Sequence, residues 1–174
     1  MSMMIRIAFY KGRGNWINKI IRWWTKSKYS HVELILPNNT TWIGISPFLS
    51  SKVESRCNID YKPSNWDFVN LNITDNQYGA ILDFFKETKG CKYDWIGMLL
   101  SQFLPFHIKR KDKWYCSEWI AYALRIAGIF NWQVIKIYDQ CDLSPGMLYK
   151  LIKKQKRKDN ETTSKQDMEN QSDL

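Results

Sequence analysis

Counting from Cys116, apolar residues recur at i+3, i+4, i+7, i+8 and i+11: Trp119, Ile120, Ala123, Leu124 and Ala127. That spacing predicts an amphipathic helix over residues 114–128 (WYCSEWIAYALRIAG). It constrains the chain more than any other feature, because such a stripe needs an apolar surface to lie on. Cys116 stands at the head of the buried face, in the first turn. Glu118, Tyr122 and Arg125 point elsewhere.

The surface for that helix is expected to be a sheet. Residues 4–10 (MIRIAFY) read as a strand broken by Gly12 and Gly14. Residues 29–36 (YSHVELIL) read as a second strand. There Val32, Leu34 and Leu36 fall on one face, while Tyr29, His31, Glu33 and Ile35 fall on the other. The first face suits a core, and the second puts two ionisable groups side by side, free to point at a cleft. Pro37-Asn38-Asn39 is a turn, and residues 40–46 form the partner strand of a hairpin. Residues 67–71 suggest a further strand. Asn15 is placed to cap a helix over 16–25, and Asp75 to cap one over 76–88 that stops near Gly90. Residues 95–104 read as a buried helix ended by Pro105. Ser144-Pro145 opens a last helix, from Gly146 to about Lys156. The fold class is therefore α+β.

The chain has 174 residues, 44% of them apolar, which fits one domain with its own core, over residues 1–156. From Asp159 onward there is no aromatic, and Met168 and Leu174 are the only apolar residues, so 157–174 is expected to be a disordered polar tail. The net charge is +9, of which only +2 lies in residues 150–174. The basic excess thus belongs to the folded part and suits anionic partners without choosing among them. The four cysteines make no CxxC pair, so a zinc ribbon is not expected, and two distant histidines add no metal cluster. No signal peptide is read at the N-terminus, so a cytoplasmic setting with reduced thiols is expected. The longest apolar stretch, 95–106, is too short and interrupted to span a bilayer. The basic, Trp-rich helix 16–25 (WINKIIRWWT) suits either packing on its own domain or lying on an anionic membrane surface.

A cysteine in a helix's first turn sits at the positive end of the macrodipole, beside unpaired backbone N–H groups. That setting favours the thiolate, which is the nucleophile, and the same N–H groups suit a developing oxyanion. A neighbouring histidine can take the thiol proton and return it to a leaving group. His31 lies on a strand, whereas His107 sits among lysines and reads as a solvated residue. Glu33, two residues from His31 on the same face, is the first candidate to orient the imidazole, and Ser46 the second. Tyr10, Tyr115 and Ser117 are candidates for the cleft and the oxyanion site. Spacing alone leaves a catalytic pair and two ordinary packed residues both open.

Two motifs favour the pair. The run Tyr29-Ser30-His31-Val32-Glu33-Leu34, followed much later by Trp114-Tyr115-Cys116-Ser117-Glu118-Trp119, resembles the circularly permuted papain-like amidases. These are relatives of the NlpC-type peptidases and of the lecithin–retinol acyltransferase-like proteins. As in that group, the His precedes the Cys. The resemblance runs from about Ile5 to Tyr149. It includes Tyr93-Asp94-Trp95-Ile96-Gly97 and Ser144-Pro145-Gly146-Met147-Leu148, and it is nearest to small phage and bacterial members of unassigned activity. It implies a papain-like fold with the Cys helix on an antiparallel sheet, Cys116 as nucleophile, His31 as base and no cofactor. The group commonly takes its third polar residue from the strand after the His strand, often a Glu. Here that strand, 41–46 (TWIGIS), has no carboxylate, and Glu33 is ranked above Ser46. Glu118 is expected to be structural.

The expected activity is hydrolysis of an amide or thioester through an acyl-enzyme, on a peptide, a peptidoglycan-like fragment or an acyl lipid. Acyl transfer at a membrane surface and a non-catalytic binding module are the competing readings. Nucleic acid is not the expected partner.

Overall fold

The computed structural model describes residues 2–47, 49–57, 59–94, 112–130 and 143–172, with side chains through residue 158. The readings placed on helix 95–104, on Pro105, on Ile96-Gly97, on His107 and on Cys141 lie outside those residues. A five-stranded antiparallel sheet, in the strand order 53–57, 41–45, 31–35, 2–10, 66–74, carries the helices.

β1 (Ser2–Tyr10) lies inside the sheet because it is apolar enough to be covered on both faces. Ile5, Ile7 and Phe9 face one core and Ala8 the other, all of them buried. It pairs along its whole length with β5 (Trp66–Thr74), and on its other edge with β2 (His31–Ile35). The β1–β2 register sets Tyr10 opposite His31 and Ala8 opposite Glu33. β2 continues through the 37–39 turn into β3 (Thr41–Ile45), which pairs with β4 (Val53–Cys57). β4 has no counterpart in the sequence reading, because its polar run VESRC buries only Val53.

The two faces of the sheet are unlike. One bears Ile7, Phe9, Val32, Leu34, Ile43 and Val69, and packs against the helices. The other bears Ala8, Ile35, Trp42, Trp66 and Phe68, with Ile59 and Tyr61 packed against it. His31 and Glu33 are both buried, at 6% and 3% exposure. The expectation that their face lies open is therefore corrected: the segment leading into β5 folds back over that face.

α1 (Trp16–Trp24) starts as expected, with the Asn15 side chain accepting from the Asn18 N–H at 3.1 Å. α2 (Asp75–Thr88) is capped by Thr74 and not by Asp75. The Thr74 hydroxyl accepts from the Gln77 N–H, and the Gln77 side chain accepts from the Thr74 N–H. α3 (Cys116–Ile126) lies across β2 and β3 with α2 beside it. Its stripe is buried as its spacing predicts: Trp119, Ile120, Ala123 and Leu124 have no exposed surface. Gly128, at φ 67°, ends the helix in the left-handed region. Trp119 is stacked on Phe84 of α2 at 5.5 Å, and its indole N–H donates to the Thr88 hydroxyl at 2.9 Å.

α4 (Pro145–Ser172) begins where Ser144 accepts from the Met147 N–H at 3.3 Å. The sequence reading ends this helix near Lys156, whereas it runs on to Ser172. The segment holds no Gly or Pro to interrupt it. Tyr149 of α4 packs on Tyr29 and Phe9, with ring centroids 4.7 and 5.1 Å away. Tyr29 in turn donates to Asp67 at 2.7 Å, and Lys11 and Lys28 pair with the same carboxylate at 2.5 and 2.8 Å.

Two short strands complete the fold. β6 (Lys92–Tyr93) and β7 (Lys113–Trp114) pair in parallel, which sets Tyr93 opposite Trp114. The Tyr93 N–H also donates to the Ser51 carbonyl at 2.8 Å, so β6 is held between the approach to β4 and the approach to α3. Among the described residues no helix is long and apolar enough to cross a membrane.

Candidate active site

Cys116 is the first residue of α3, and Tyr115 before it is extended (φ −112°, ψ 164°) with no side-chain cap. The Trp119 N–H reaches the Tyr115 carbonyl at 3.0 Å, closing the first helical bond. The N–H groups of Cys116 and Ser117 precede that bond, at the positive end of the helix. Cys116 is 5% exposed.

His31 opens β2. Its Nε2 lies 2.8 Å from Oε1 of Glu33, while the other Glu33 oxygen pairs with Arg56 of β4. Arg56 also reaches Glu54 at 3.5 Å. The carboxylate thus serves two cations with two separate oxygens. Burial would push Glu33 up, but the His31 imidazole and the Arg56 guanidinium outweigh it and hold the carboxyl below its ordinary value.

The second nitrogen of His31 concerns Cys116. Burial alone would depress the imidazole. The charge of Cys116, hydrogen bonding with its sulfur, and Glu33 reverse that and raise His31 to about 10. Nδ1 is buried without a hydrogen bond of regular geometry. With Nε2 committed to Glu33, Nδ1 is the nitrogen left to exchange a proton with the thiol. His31 and Cys116 are thus coupled through charge, with no regular hydrogen bond on Nδ1.

The other sequence-derived candidates fall into place unevenly. Ser117 is buried in the first turn of α3, its hydroxyl unpartnered. Tyr10 neighbours His31 across the β1–β2 pair and packs its ring on Trp66 at 5.1 Å. Tyr115 is near Tyr93, whose phenol feels its charge. Ser46 is buried, but the imidazole is held by Glu33. Glu118 lies half-buried in the first turn of α3, where a carboxylate complements the helix N-terminus.

Three neighbours escaped the sequence reading. Arg56 sits on the unrecognised strand β4. Trp66 places its ring 6.4 Å from the imidazole. Tyr93 is buried, and burial, the charge of Cys116 and hydrogen bonding with its sulfur push the phenol well above its ordinary value. It stays protonated at neutral pH and able to donate to sulfur. Its only sequence signal was its place in the Tyr93-Asp94 motif. Among the described residues, no group of three His, Cys, Asp or Glu side chains is arranged to hold a metal ion.

No protein-family model matches this chain, and no curated protein matches it. The fold and the site define an α+β domain in which a cysteine at a helix start meets a His–Glu pair on a strand.

Proposed function

We propose that the chain is a cysteine-nucleophile hydrolase of the circularly permuted papain-like class, cleaving an amide or thioester through an acyl-enzyme. The observation that carries this reading is the buried Arg56–Glu33–His31 run, with the imidazole coupled to the charge of Cys116 at the start of α3. With its imidazole raised to about 10, His31 holds at neutral pH the proton that the leaving group takes. The Cys116 sulfur attacks the substrate carbonyl carbon, and the carbonyl π electrons move onto oxygen. The backbone N–H groups of Cys116 and Ser117, at the start of α3, receive that oxyanion. His31 gives its proton to the leaving nitrogen or sulfur as the bond to carbon breaks. In the second half His31 takes a proton from water, which attacks the thioester and releases the acid. Glu33 acts through His31 as a positioning residue, and Arg56 keeps Glu33 ionised.

The test is selective labelling at neutral pH with a vinyl-sulfone probe. Cys116 is expected to react ahead of the exposed Cys57 and the half-buried Cys91. Loss of that preference in His31→Ala supports the pair. No labelling of Cys116 in the native chain, or undiminished labelling in the variant, makes this a non-catalytic module.

A further inference from the structure

α1 is turned the wrong way round for a helix that simply packs on its own domain. Such a helix sends its apolar stripe inward. Here the buried residue is Asn18, which donates to Asn15 at 2.9 Å and accepts from the Ser30 hydroxyl at 2.8 Å. Trp16, Ile20 and Trp23, spaced i, i+4 and i+7, are 69%, 48% and 76% exposed. They form one outward stripe, and Trp24 extends it at 37%.

The charge around that stripe says what it faces. The first 32 residues hold seven Lys/Arg and no Asp/Glu. Lys11 and Lys28 are taken by Asp67, and Arg22 donates to the carbonyls of Gly12 and Arg13. Arg13, Lys19 and Lys26 are exposed, with no ion pair among the described residues. Indole rings flanked by uncommitted cations suit the boundary between lipid headgroups and acyl chains. α4 starts against Ser27, just beyond α1, since a Cβ on Gly146 would strike the Ser27 hydroxyl. It adds the exposed Lys150, Lys153 and Lys154.

We propose that α1 is a docking helix that lays Trp16, Ile20 and Trp23 into the surface of an anionic lipid bilayer, with Arg13, Lys19 and Lys26 on its headgroups. The Asn18–Ser30 hydrogen bond ties this helix to the residue before His31, so docking brings the His31 end of the sheet to the lipid. The docking itself does not rest on the chemistry proposed for Cys116, and Cys116→Ala is expected to bind vesicles as the native chain does.

The test is co-sedimentation of the full chain with phosphatidylcholine vesicles, with and without about one quarter phosphatidylglycerol. Binding is expected to be at least about tenfold tighter with the anionic lipid and to weaken as salt is raised. Trp16→Ala/Trp23→Ala is expected to lower it at least about tenfold with an unchanged circular-dichroism melting curve, both side chains being exposed. Lys19→Gln/Lys26→Gln is expected to remove part of the advantage of the anionic vesicles. No pelleting with vesicles, or equal pelleting of the Trp double variant, overturns the proposal. So does a concentration-dependent dimer that the Trp variant abolishes, which makes a second copy the occupant.

Discussion

Glu33 has two cationic partners and almost no contact with water, so its charge state is a stability statement. Its carboxyl is held below the ordinary 4.5, so the stability it contributes is fully present above 4.5 and is lost as pH falls through the depressed value. His31 has the opposite sign. Raised from 6.5 to about 10, it contributes fully below 6.5 and loses that contribution as pH climbs through about 10. Glu33→Gln leaves Arg56 and the imidazole facing a neutral amide in a buried site, a loss of roughly 3 kcal/mol. Urea unfolding across pH is expected to show the gap between native and variant widest between 4.5 and 6.5, closing on acidification and narrowing toward 10. A gap independent of pH contradicts the charged pair. At this scale the sequence was informative where chemistry is local: Glu33 is two residues from His31 on one strand face, and that is how the two meet.

Among the elements, α3 matters most, because it is both a core helix and the mount for Cys116. Trp119 locks it to α2 through the stacked Phe84 ring and the Thr88 hydroxyl. Trp119→Ala is expected to cost about 3–5 kcal/mol in urea unfolding, as deletion of a fully buried indole does elsewhere. A loss under about 1 kcal/mol means that α3 is held by other contacts. The periodicity of α3, the β2–β3 hairpin and the Asn15 cap were readable because each is written in adjacent residues. α1 was bounded to within one residue, while its apolar spacing left packing on its own domain and lying on a membrane surface both open. β4 was invisible because an edge strand with one buried residue carries no alternation signal. β6 and β7, of two residues each, exist only through pairing between remote segments.

For the whole molecule, the site is a product of topology. His31 and Glu33 come from β2, Arg56 from the sheet edge, Tyr93 from β6 and Cys116 from α3. Only long-range strand order brings the last three to the first two, so Arg56 and Tyr93 could not be read from spacing. The account stands on a thiol and an imidazole sharing one proton, and NMR titration of the His31 ring measures this directly. With His107 assigned by His107→Gln, the His31 ring is expected to stay protonated through neutrality with a midpoint near 10, and to titrate lower in Cys116→Ala. A midpoint near 6.5 in both proteins contradicts the pairing of Cys116 with His31.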